Sequence, residues 1–348
     1  MDRLVLITGG SGYVGSVLVP LIAKKYPVRV LETMTFGNPI ADTPNVEFIQ
    51  GDIRNQAIVS QALDGVTDVI HLAAIVTDDL VAMNEALGRQ INNDALFGLC
   101  SIAMDKGVSR IIYASSSSIY GTDLHIDDVE VTTLGDTEKK FIPSVIRGCT
   151  EECIPKPMTE YAWTKLRGEY IVNSFDKDMT VVSVRSATCC GPAPRMRFDT
   201  IVNIFCKQAH FDGVITVHGG DQWRTNIHVK DIARLYCTLL DSPADLINGQ
   251  AFNATASNDT ALDLAHQVRR IIGGKVFVDL TKRDDRHYCM DASKVESVLG
   301  WVPELDIYDA ISDNLLFFDE GNIPDPNSDL FYNTRRMGNL MQQGDYTS

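Results

Sequence analysis

The sequence predicts an α/β fold built on a doubly wound parallel sheet, and three observations carry that prediction. Short β-branched runs alternate with longer helical patterns through the first half of the chain. Those runs are apolar almost throughout, without a polar face. A glycine-rich turn stands between the first run and the first helix. Strands alternating with helices imply βαβ units and a parallel sheet. Near-continuous apolar strands are expected where helices cover both faces of the sheet. At 348 residues, 45% of them hydrophobic, the chain can bury one large domain or two closely joined ones.

Taken in order, Leu4–Thr8 is expected as the first strand and Tyr13–Tyr26 as the first helix. Val28–Glu32, Val46–Ile49 and Asp68–Leu72 follow as strands, Asn84–Asp105 as a long helix, and Arg110–Ser115 as the next strand. Thr180–Arg185 continues the sheet. Beyond Gly191-Pro192 the pattern gives a helix near Asp199–Phe211, a strand at Val214–Val217 and a helix over Val229–Leu240. A short helix is expected between Asp291 as N-cap and Gly300 as C-cap. Residues 121–158 hold Asp-Asp and Lys-Lys pairs and few periodic apolar positions, which suits a functional loop, a lid or a small inserted subdomain. The last ten residues are polar and expected to fray. The division expected is a dinucleotide domain over 1–185, carrying the 121–158 insertion, and a smaller α/β substrate-binding domain over 186–348 that can return a strand to the first.

The net charge of −15 argues against general binding to nucleic acid or anionic lipid, while local arginines can still serve an anionic small substrate. No run approaches 18 apolar residues, so no membrane span is expected, and the apolar run begins too near Met1 for a signal peptide. The eight cysteines are dilute and match no zinc spacing. They are expected as reduced thiols of a cytoplasmic protein with no metal.

Thr8-Gly9-Gly10-Ser11-Gly12-Tyr13-Val14-Gly15 lies where strand hands over to helix, with Gly9, Gly12 and Gly15 spaced for a dinucleotide. Such a turn must be tight, must let backbone touch a pyrophosphate, and must pack helix on strand. The phosphates would rest on the helix N-terminus. Glu32 ends the second strand 20 residues after Gly12; an acid there binds both ribose hydroxyls and repels a 2′-phosphate, which favours NAD over NADP. The Rossmann-like reading of the sheet rests on this context. The bland alternative is a glycine turn with Glu32 merely solvated.

Tyr161 and Lys165 stand at i and i+4, on one face of a helix. A tyrosine is a poor base at neutral pH, but a nearby ammonium and an oxidised nicotinamide both favour its phenolate. Tyr161 can then take a hydroxyl proton while hydride leaves the same carbon. Alone, such a pair is usually structural. Ser115 to Ser118 follow the Arg110 strand, at the end of the sheet where α/β folds bind ligands. They are equally able to satisfy only the backbone of a turn.

With these elements in view the sequence resembles the extended short-chain dehydrogenase/reductases, specifically their nucleotide-sugar epimerases and dehydratases. The similarity runs from about Leu4 to at least Gly300. It implies Ser116, Tyr161 and Lys165 as catalytic. It implies a cofactor site of Gly9, Gly12, Tyr13, Val14, Gly15, Glu32, Asp52, Ile53, Leu72, Ala73, Ala74 and Asn92, together with Tyr161 and Lys165; Asn92 would open the helix that supports the catalytic strand. Ser117, Thr188, Arg195, Arg197, Asn203, Arg224, Asp284 and Arg286 are implied to hold the substrate's diphosphate and nucleoside. Thr188 stands where the family usually has asparagine. The arginines suit phosphates, though Arg195 and Arg197 would also be at home solvated on the surface. A homodimer is implied as well.

The family's dehydratases and decarboxylases carry an acid beside the catalytic hydroxyl, where this chain has Ser117 and Ser118, and the branches that epimerise carbons 3 and 5 place a cysteine there. What remains is oxidation at carbon 4 with return of the hydride: an NAD-dependent nucleotide-sugar 4-epimerase. A 4-dehydrogenase releasing the keto-sugar is the alternative, because Arg195–Asp199 and the Asp325–Asn333 run resemble a subgroup acting on nucleotide-linked heptoses. An NAD-sensing protein on the same fold is a third reading, set against the retention of both Tyr161 and Lys165.

Overall fold

The computed structural model describes residues 3–122, 148–282 and 286–344 in full, and residues 125–131 and 140–147 as backbone. Seven parallel strands form the main sheet, in spatial order Val46–Gln50, Val28–Glu32, Val5–Thr8, Asp68–His71, Arg110–Ala114, Thr180–Ser186 and Gln250–Ala254. The order reverses beside Val5–Thr8: the chain first moves toward one edge, then restarts on the other side at Asp68. That switch opens a crevice at the strands' C-terminal ends, where such sheets bind ligands. Val5–Thr8 and Asp68–His71 are buried at every position, because helices cover both faces.

The expected elements form, with shifts that have physical causes. The first helix spans Gly15–Ala23, shorter than expected at both ends, since Tyr13 and Val14 belong to the turn. The expected long helix over 84–105 is present as Glu85–Arg89 and Ala95–Asp105 joined by a π-helical turn, Gln90–Asp94. Asn92 therefore does not open the helix; it sits within its π turn. The short helix is Ser293–Leu299, capped by Ala292 rather than Asp291, although Asp291 Oδ1 accepts from Ser293 N at 2.7 Å. Gly300 ends it in the left-handed region, as expected. Within the irregular stretch, His125–Val131 and Lys140–Arg147 pair as an antiparallel hairpin. The carboxyl-terminal tail is more ordered than expected: the helix Asn333–Gln343 takes in five of the last ten residues.

Beyond residue 185 the chain builds two small sheets. Val214–His218 pairs with Lys275–Asp279, and Trp223–His228 lies between Thr188–Cys190 and Ser257–Thr260. Residues of both, Thr188, Thr216, His218 and Arg224 among them, line the crevice. Among the described residues no helix is long and apolar enough to cross a membrane.

Candidate active site

One cavity of about 1180 Å³ runs the length of the crevice, from Glu32 and Asp52 at one end to Arg224 and Arg286 at the other. The turn after the first strand forms its floor. Gly9 has φ +72°, and a Cβ there would lie 2.7 Å from Ala73 N, so only glycine fits. A Cβ on Gly15 would lie 2.5 Å from Gly10 O, which is the close helix-to-turn packing the spacing predicts. A Cβ on Gly12 would meet only Gly9 O, at 3.1 Å; its other side faces open space. Tyr13, Val14, Ile53, Leu72, Ala73 and Ala74 line the same end. Glu32 accepts from Thr33 N at 2.9 Å, and burial raises its pKa. Asp52 is paired with Arg54 at 2.8 Å. Glycines without Cβ atoms, a helix N-terminus and an acid at the far end together fit a dinucleotide.

Midway, the helix Glu160–Asn173 presents Tyr161 and Lys165 to the cavity, and Thr159 caps it by accepting from Ala162 N at 3.2 Å. Lys165 is 4% exposed and donates to Ala114 O at 2.8 Å; its ammonium lies 6.0 Å from the Tyr161 ring centre. Burial pushes its pKa down to about 8. Burial pushes the Tyr161 hydroxyl up to about 12, and a hydrogen bond with Ser116 opposes that shift. Ser116 caps the short 3₁₀ turn Ser117–Tyr120, accepting from Ser118 N at 3.2 Å. The three expected catalytic residues thus meet at one place, although Ser116 and Tyr161 are 45 residues apart in the chain.

The depressed Lys165 pKa gives a stability prediction. The folded state holds this lysine near 8 and the unfolded state near 10.5, so between those values the unfolded chain binds more protons. Its neutral form is favoured on folding, and stability should rise as pH increases through that window. The ligand-free wild type should gain stability relative to Lys165→Met from about pH 8 to about pH 10.5 in urea titrations. Parallel curves for the two proteins would contradict it.

Beneath the strand end lies a buried network. Ser115 donates to Glu169 at 2.5 Å, and Arg185 grips the same carboxylate through two bonds of 3.0 and 2.8 Å. Arg185 also donates to Tyr120 Oη at 2.9 Å, and Tyr120 donates to Asn253 at 2.7 Å. This ties the Ser115–Tyr120 turn to the returning strand.

Two expected ligand residues are placed otherwise. Asn92 is 2% exposed and bonds Ile75 in both directions, at 2.8 and 3.0 Å, and Thr164 Oγ1 at 3.0 Å. It joins the Ile75 loop to the Tyr161 helix, and a π turn supplies the rotation that lets it face both. Asn203 is fully buried; it donates to Tyr13 Oη at 2.9 Å and Arg197 O at 3.0 Å, and accepts from Gly191 N at 2.9 Å. Neither lines the cavity, so direct ligand contact gives way to a framing role for each. Ser117, Thr188, Arg195, Arg197, Arg224 and Arg286 all border it. Asp284 lies outside the described residues.

Sequence reasoning missed Asp78. Its carboxylate accepts from Thr159 Oγ1 at 2.5 Å and forms an ion pair with Arg286, spanning the two walls of the cavity beside Tyr161. No motif marks a pair separated by 208 positions.

A parallel sheet with a glycine-turn crevice and a Tyr-Lys-Ser cluster defines a dinucleotide-dependent enzyme fold. The chain belongs to the NAD dependent epimerase/dehydratase family, whose model matches residues 5–255. Among curated relatives, a putative UDP-glucose 4-epimerase of Methanocaldococcus jannaschii is 24% identical over 88% of this chain and 96% of its own. The dTDP-D-glucose 4,6-dehydratase of Mus musculus is also 24% identical, over 87% and 85%. Among solved structures, a Thermus thermophilus UDP-glucose 4-epimerase in complex with NAD superposes with a TM-score of 0.74 at 21% identity, covering 90% of this chain and 99% of its own.

Proposed function

We propose that this chain is an NAD-dependent nucleotide-sugar 4-epimerase. When bound, NAD supplies the acceptor for hydride leaving carbon 4 and the donor for its return. Tyr161 as phenolate takes the proton of the carbon-4 hydroxyl, with Ser116 sharing that hydrogen bond, and gives it back when the keto-sugar is reduced from its other face. The Ser116 hydrogen bond and the charge of Arg197 work against the burial that raises Tyr161, and a Lys165 ammonium 6.0 Å from its ring centre would favour the phenolate further. The observation that carries this reading is the strand end itself. Ser116 is followed by Ser117 and Ser118, with no carboxylate there for the elimination a dehydratase performs. The lining carboxylate that acts on Tyr161, Asp78, is already engaged by Thr159 and Arg286.

The second half of the chain is assigned the nucleotide-sugar side, through Arg197, Arg224 and Arg286. A homodimer is supported by Phe97 and Met104 on one helix and Trp163 and Tyr170 on another, all exposed apolar side chains at a seven-residue spacing. Eight free cysteines suit the cytoplasm. Incubation with a panel of UDP- and dTDP-linked sugars tests the function. An epimer without net NADH is expected. A released 4-keto sugar with stoichiometric NADH would instead make the chain a 4-dehydrogenase, and a 4-keto-6-deoxy product would make it a dehydratase.

A further inference from the structure

Arg195 borders the cavity with Arg197 close enough to act on it, yet it is packed on different elements. Its backbone N–H donates to Ser16 Oγ at 3.2 Å, in the first turn of the helix that follows the glycine turn. Its guanidinium stacks on Phe36, 3.9 Å from the ring centre, just beyond Glu32. One Nη donates to Asn333 Oδ1, from the carboxyl-terminal segment. The residue is only 5% exposed, makes no ion pair among the described residues, and its buried Nε has no hydrogen-bond partner. Asp199 and Glu32 act on it through space, but neither forms an ion pair with it, and a buried cation bonded to one neutral amide and stacked on one aromatic face is only partly compensated. Burial first, and Arg197 second, push its pKa down to about 9. The group borders the cavity at the end where Gly12, Tyr13 and Val14 present the helix N-terminus.

We infer that Arg195 is a cofactor residue: it contacts the diphosphate of the dinucleotide from beside the helix that follows the glycine turn, and the carboxyl-terminal segment seats it there. The helix N-terminus and the guanidinium would both offer positive charge to the diphosphate. Asn333 fixes the guanidinium, and Asn333 N in turn donates to Asp199, so the 195–199 loop and the tail are locked together. Arg336 donates to Thr35 O at 3.3 Å, which holds the tail over the same end of the cleft. This role differs from the substrate contact expected for Arg195 from sequence. It rests on occupation of this end of the cleft by NAD, and not on the reaction at carbon 4.

Calorimetric titration of the protein, stripped of copurifying nucleotide, with NAD, ADP-ribose, adenosine and UDP tests the inference. Arg195→Met should weaken NAD and ADP-ribose about 10- to 100-fold, the span of a charge-assisted hydrogen bond. Adenosine and UDP should bind as to the wild type. Asn333→Ala keeps the arginine and should shift NAD and ADP-ribose in the same direction by a smaller factor, which serves if Arg195→Met does not fold. Equal losses for adenosine and ADP-ribose would overturn the inference by showing a structural role. Loss for UDP with NAD unchanged would overturn it by placing Arg195 on the substrate. Failure of the wild type to bind NAD would instead sink the reading on which the inference rests.

Discussion

Replacing Tyr161 by Phe should abolish nearly all turnover of a nucleotide sugar while leaving the fold and NAD binding intact. The ring keeps its packing and loses only the oxygen that carries the proton. General acid–base groups contribute about 10²- to 10⁴-fold, so kcat should fall by that factor with KM little changed. The geometry explains why the loss is not made up by a neighbour. Lys165 is committed to Ala114 O, and the Ser116 hydroxyl has no base of its own beside it once Tyr161 Oη is gone. Steady-state kinetics beside a calorimetric NAD titration would check both halves. A variant that keeps wild-type turnover would remove Tyr161 from the chemistry, and one that loses NAD binding would show the ring to be structural.

The second large effect is on stability. Glu169→Ala should destabilise the protein by about 3–5 kcal/mol, the cost of stranding the buried partner of an ion pair. Glu169 and Arg185 are 4% and 7% exposed, and Glu169 also accepts the Ser115 bond. Removing the carboxylate leaves the guanidinium without its paired anion under the Ser115–Tyr120 turn. Glu169→Gln should cost less, because the amide oxygen can still accept from Arg185 or Ser115. Urea denaturation of the three proteins measures this directly. Equal midpoints would show that the cluster relaxes or admits water.

What the sequence made legible was local. Gly9, Gly12 and Gly15 serve a single turn, and Tyr161 and Lys165 a single helix face, so spacing alone places each group. The parallel sheet followed from strands whose apolar runs are short and unbroken. The returning strand Gln250–Ala254 lacks β-branched residues, and its place beside Thr180–Ser186 is decided by pairing rather than propensity. The hairpin His125–Val131 with Lys140–Arg147 carries charges and a proline in place of a clean alternation, so its strands are not distinguishable within a stretch that suits a loop, a lid or an inserted subdomain alike. The tail helix is polar on most of its surface and is held by Met337 against the rest of the protein, a tertiary effect.

The site followed the same division. The proposed catalytic groups lie close to their own motif landmarks, whereas Asp78–Arg286 and Arg195–Asn333 join residues more than a hundred positions apart. Asn203 matched a ligand position by alignment, but its amide is consumed by Tyr13, Arg197 and Gly191. A pattern of residue types does not reveal how many of a side chain's hydrogen bonds the protein itself has used.

The most direct test of the central claim follows one atom. Whichever nucleotide sugar of the panel the chain turns over, carrying deuterium at carbon 4, should be converted with a transient rise in reduced-cofactor absorbance, and the deuterium should reappear at carbon 4 of the epimer. That result requires oxidation and reduction at one carbon by a cofactor that stays bound. Epimer formed with its label exchanged into water, or formed without any transient reduction, would contradict the account.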